Sequence, residues 1–87
     1  MHEMSLMRDL MRKISEVASR ENARRVVSVN VWLGALSHMS PAHFQEHFDE
    51  VAAGTLAEGA RLQIETSEDI HDPQAQSILF RGLEIEP

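Results

Sequence analysis

The chain has 87 residues, enough for one hydrophobic core and not for two. Its 14 acidic and 8 basic residues leave a net charge of −6, which argues against nucleic acid or an anionic membrane surface as the main partner. The absence of cysteine rules out disulfides and thiol catalysis.

The first pattern in chain order is helical. Met7, Leu10, Met11, Ile14, Val17 and Ala18 recur at three- and four-residue intervals and predict one apolar helix face from about Met4 to Arg20. Arg8, Asp9, Arg12, Lys13, Glu16 and Arg20 form the solvated side, and Asn22 is a stop signal. The methionines are read as core packing, because their flexible thioethers fill irregular gaps.

Arg24 and Arg25 make a solvated pair at the entrance of a strand. From Val27 the sequence alternates, which places Val27, Val29, Val31 and Leu33 on one face and Ser28, Asn30 and Trp32 on the other. Gly34 ends the strand. Trp32 either covers a partner surface or packs beneath a terminus or loop of its own chain.

Ser40-Pro41 reads as a helix N-cap followed by proline at the first helical position. Phe44, Phe48, Val51 and Ala52 form the buried stripe, with Gly54 as the C-cap. Gly59-Ala60 is a turn before a second strand, in which Leu62 and Ile64 alternate with Arg61, Gln63 and Glu65. A third strand runs from Ile78 to Ile85, with Leu79, Leu83 and Ile85 as its core face.

The order α-β-α-β-β predicts a two-layer α/β domain, two helices packed on one face of a three-stranded sheet. A helical crossover lets the first two strands lie parallel. The third strand pairs as a hairpin with the second or reaches the other edge. The whole of 1–87 is read as one domain. A chain this short buries only roughly 60–65% of its unfolded surface, so self-association, as in a homodimer, would add stability. No apolar run is long enough to span a membrane, and no charged and apolar leader marks a signal peptide, so the expected location is cytoplasmic.

The chemistry concentrates at the start, Met1-His2-Glu3. A second-position histidine can chelate a metal with the free α-amine, its own backbone nitrogen and its imidazole. The Glu3 amide supplies a fourth nitrogen, and the resulting tetragonal set suits Ni(II) or Cu(II). A penultimate histidine normally protects the initiator methionine from removal, so the amine belongs to Met1. Taken alone, such a histidine also fits a frayed, solvated terminus. If the helix starts near Glu3 or Met4, the His2 and Glu3 amides can lose protons without breaking the helical ladder. Two amidates would also offset the positive end of the helix dipole, which otherwise repels a cation.

Three stretches carry a family resemblance. Met-His-Glu-Met-Ser-Leu at residues 1–6 closely resembles the opening of the HypA/HybF hydrogenase nickel-incorporation family. Val29-Asn30-Val31-Trp32-Leu33-Gly34-Ala35-Leu36-Ser37 is similar to the family's strand and Gly-x-Leu/Ser segment. Residues 54–65, Gly-Thr-Leu-Ala-Glu-Gly-Ala-Arg-Leu-Gln-Ile-Glu, match its G-T-x-A-E-G-A-x-L-x-I segment almost throughout. The resemblance implies a nickel metallochaperone that hands Ni(II) to [NiFe]-hydrogenase, with His2 as the essential ligand and Glu3 beside it. It also implies docking to the GTPase HypB and to the hydrogenase large-subunit precursor. One departure stands out: the family's zinc domain, built on two Cys-x-x-Cys pairs, has no counterpart here. Residues 66–77 form a short polar linker in its place, so no zinc is expected. The alternative is an interaction module that keeps the fold but has lost productive nickel delivery.

Four other histidines are further metal candidates. His43 and His47 have the four-residue helical spacing that lets two imidazoles face one ion, although a solvated pair would show the same spacing. His38 lies in the loop before the second helix and could approach the N-terminus. Ser40 stands where some relatives carry an acidic residue near the nickel. His71, between Asp69 and Asp72, is the one histidine of the linker; in the family a zinc-domain histidine can help close the nickel site. No phosphate-binding loop, nucleophile elbow or catalytic triad is evident, and the chain is not read as an enzyme.

Overall fold

The computed structural model describes residues 3–87, with side chains described from residue 5 onward. The element order is α1 (Glu3–Arg20), β1 (Arg25–Leu33), α2 (Pro41–Ala52), β2 (Arg61–Thr66) and β3 (Ile78–Glu86). The sheet order is β2-β1-β3, with β1 parallel to β2 and antiparallel to β3. Of the two positions open to the third strand, the far edge is therefore the one adopted, and no hairpin joins β2 to β3. Both helices contribute to one core with the sheet, giving the expected two-layer α/β domain.

α1 buries Met7, Leu10, Ile14 and Ala18, with Met11 packed beside them. Asn22 stops it through a left-handed turn at φ 55°. The Asn22 N–H donates to the Ser19 carbonyl and the Ala23 N–H to that of Ala18, the two bonds of a Schellman cap. In α2, Phe44, Phe48 and Ala52 are buried and Ser40 is the N-cap, its hydroxyl accepting from the His43 N–H at 3.2 Å. The C-cap is Ala53 rather than Gly54; Gly54 follows at φ 81°, where a side chain would strain the backbone.

Two bulges revise the strand faces. Val26 pairs with Ile85 and Ser28 with Glu84, so Val27 is an extra residue on β1. The alternation restarts there, and Val26, not Val27, joins Val29, Val31 and Leu33 in the core. Farther along, Asn30 faces Gly82 and Val31 faces Phe80, which makes Arg81 extra on β3. Gly82 accommodates that irregularity at φ 151°. Ile78 and Phe80 therefore share the core face with Leu83 and Ile85, while Leu79, expected there, is absent from the core and pairs with Trp32 on the sheet's other side.

Trp32 is buried, and the Arg81 guanidinium carbon lies 5.9 Å from its ring centroid. Its cover thus comes partly from a neighbouring strand of its own chain. On the same side the Ser28 hydroxyl donates to Glu84 Oε1 at 2.6 Å.

The connection after β2 is more ordered than a polar linker. Thr66 belongs to β2, and residues 67–77 then fold back across the end of β1. The Ser67 N–H donates to the Leu33 carbonyl, and the Gly34 and Leu36 N–H groups donate to the carbonyls of Ser77 and Ala75. Turns at Asp69 and Asp72 are closed by their carboxylates, which accept from the His71 and Gln74 N–H groups. Ala75 is buried against Gly34 so closely that a Cβ on Gly34 would lie 2.2 Å from the Ala75 carbonyl oxygen.

Candidate metal centre

α1 begins at Glu3, so the Glu3 amide is among the first N–H groups of a helix, which have no partner within it. Met1 and His2 lie outside the described residues, as do the side chains of Glu3 and Met4.

The other four histidines occupy three separate places. His38 is exposed in the loop before α2, at φ 60°, a left-handed conformation that histidine tolerates better than most residues. His71 is exposed in the Asp69–Asp72 turn, held through its backbone and not through its ring. Among the described residues, no group of three or more His, Asp or Glu side chains could hold a metal ion, so His71 and its flanking aspartates form no such cluster.

His43 and His47 are brought together. Helical spacing places them on one side of α2, with Nε2 to Nε2 at 2.7 Å and ring centroids 4.6 Å apart. The rings are nearly parallel, at 19°. Glu50 Oε1 lies 3.9 Å from His47 Nδ1. Farther round the helix, Gln45 donates to Asp49 at 2.9 Å.

An open groove of about 610 Å³ lies elsewhere, lined by Asn30, Gln63, Glu65 and Arg81 together with Val31 and Ile64. No histidine lines it. Asn30 Oδ1 is buried in this region without a hydrogen-bond partner among the described residues.

The segment most like the family proves to be architectural. Thr55 Oγ1 donates to the Ala52 carbonyl and accepts from the Ala57 N–H, and the Glu58 carboxylate accepts from the Gly54 N–H. Gly54 and Gly59 both have positive φ, Ala57 and Ala60 are buried, and the Leu56 carbonyl accepts from Val26 at the start of β1. The motif thus closes α2 and aims the chain into β2.

Comparison with known proteins agrees with this architecture. The sequence profile described as "Hydrogenase/urease nickel incorporation, metallochaperone, hypA" matches residues 1–71. Hydrogenase maturation factor HypA of Picosynechococcus sp. is 39% identical over 66 residues, covering 76% of this chain and 58% of the relative. The HypA of Archaeoglobus fulgidus is 39% identical over 64 residues, covering 74% and 58%. The solution structure of the Ni metallochaperone HypA from Helicobacter pylori superposes with a TM-score of 0.80 at 20% identity, over 99% of this chain and 98% of that one, a likeness of fold.

The fold and the sequence match define a member of a nickel-incorporation family. The chain belongs to the HypA family. It spans a little over half the length of the curated relatives it matches.

Proposed function

We propose that this chain binds Ni(II) through Met1, His2 and Glu3 and acts as a metallochaperone-type maturation factor, helping nickel insertion into [NiFe]-hydrogenase. Nickel is its cargo, and the chain hands the ion over without catalysing a reaction. The observation that carries this reading is the family match, which includes the Met1-His2-Glu3 start within residues 1–71. The start of α1 at Glu3 supports it: an amide in the first helical turn can become a metal-bound amidate without costing the helix a hydrogen bond.

By the same resemblance, HypB and the hydrogenase large-subunit precursor are the proposed partners, and the cytoplasm is the compartment. Among the described residues no helix is long and apolar enough to cross a membrane. Residues 67–77 take the place of the family's zinc domain in this proposal, leaving 1–87 as a single nickel-binding domain without zinc.

The test is nickel titration of protein whose free N-terminal residue is Met1, beside the His2→Ala variant. The parent should form a diamagnetic tetragonal complex that is lost as pH falls, because amine, imidazole and amidate must all be deprotonated to coordinate. Cu(II) should bind more tightly than Ni(II). His2→Ala should lose the high-affinity ion and keep its circular dichroism. An unchanged affinity in His2→Ala would overturn the proposal, and a parent that binds no micromolar nickel would favour the interaction-module alternative.

A further inference from the structure

We propose that His43 and His47 form a second cation site, a two-imidazole clamp on α2 for a borderline divalent ion such as Ni(II), Cu(II) or Zn(II), independent of the N-terminal chelate. Their Nε2 atoms converge at 2.7 Å, so in the metal-free chain one ring donates its Nε2–H to the other. Two imidazoles bound to one ion at 2.0–2.1 Å, at right-angle to tetrahedral bite angles, hold their nitrogens roughly 2.9–3.4 Å apart. To accept a metal in place of the shared proton, the nitrogens must separate by a few tenths of an ångström and the rings must turn so that both lone pairs meet at the ion.

The surroundings leave the pair within reach of a dissolved cation. With a metal bound, both rings present Nε2 lone pairs and carry their N–H on Nδ1. In His47 the Glu50 carboxylate lies 3.9 Å from that atom, beyond hydrogen-bond range, so it contributes only a nearby negative charge. The core does not depend on the rings' position, because Phe44 and Phe48 on the same helix are fully buried and hold it. His43 is exposed and the His47 side chain is 25% exposed, so a dissolved ion can reach the pair. A pair of protein ligands suits an ion held briefly and passed on, whereas a closed structural site needs about four.

The experiment follows nickel and zinc titrations by calorimetry and by the ring-nitrogen NMR signals of the histidines, in the parent, His2→Ala, and His43→Gln/His47→Gln. The parent should take two Ni(II) equivalents of unequal affinity. His2→Ala should keep the weaker one, with shifts at Nε2 of His43 and His47. His43→Gln/His47→Gln should keep the tighter one and remain folded, since the fully buried Phe44 and Phe48 are unchanged. A folded His2→Ala protein that binds no nickel or zinc, or one whose His43 and His47 signals stay still during titration, overturns the clamp. Loss of both equivalents in His43→Gln/His47→Gln would also overturn it, by making the pair part of one shared site. Survival of both equivalents in His2→Ala would instead break the N-terminal proposal and leave the clamp standing.

Discussion

Phe44 and Phe48 stand four residues apart on α2, and His43 and His47 repeat that spacing one residue earlier. The phenylalanines are at 0% exposure, packed with Met7, Ile14 and the β1 valines, while the histidines meet each other at the polar surface. An offset of one residue turns a side chain by about 100° around the helix, which is enough to separate packing from chemistry. The Gly34–Ala75 junction shows the opposite arrangement. There the 67–77 connection presses on β1 with no space between the backbones. Side chains can therefore change at the exposed His43 side of α2 with little cost to folding, whereas the connection beside β2 cannot be altered freely at its contact point.

The largest effect that would sharpen this contrast is at Phe48. Phe48→Ala should cost about 3–5 kcal/mol through lost burial and the cavity left behind. For a domain of this size that lowers the thermal midpoint by more than about 10 °C. The exposed His43→Gln should change urea stability by less than about 1 kcal/mol, as is usual for surface substitutions. Equal losses at the two positions would break the division between the faces of α2.

A smaller loss is expected at the junction. Gly34→Ala places its Cβ 2.2 Å from the Ala75 oxygen and 2.7 Å from that of Gln74, so the backbone must yield. Overpacking of this kind costs about 1–3 kcal/mol. Hydrogen exchange should show the disturbance at the Gly34 and Leu36 amides, which bond to this connection. Unchanged protection there would mean that residues 67–77 are not held against β1.

The smallest effect concerns metal removal. A strong chelator should leave circular dichroism and the thermal midpoint nearly unchanged, because the aliphatic core is assembled from two helices and three strands without metal ligands. Zinc-dependent domains lack such a core and unfold without their ion. Cooperative unfolding on chelation, or stoichiometric zinc in protein purified without added metal, would contradict a metal-independent core.

Much of the fold was legible because its signals are local. The α1 stripe, the Ser40-Pro41 start of α2, the Phe44–Phe48 spacing and the Asn22 stop each depend on residues within a turn or two of one another. The family resemblance was equally legible, and one of its matching segments, residues 54–65, turned out to brace the turn between α2 and β2. The convergence of His43 and His47 could be anticipated from spacing but not their Nε2 separation, which depends on side-chain rotation.

By itself, the sequence determined the order α-β-α-β-β, the helix faces and the family, because periodicity, caps and motifs are properties of neighbouring residues. Only the tertiary structure decided that β3 pairs with β1, that Val26 replaces Val27 and Ile78 and Phe80 replace Leu79 in the core, and that Ala75 lies on Gly34. Those outcomes depend on pairing between residues some fifty positions apart. There, one extra residue in a strand reverses every face beyond it, and no local pattern records where that residue falls.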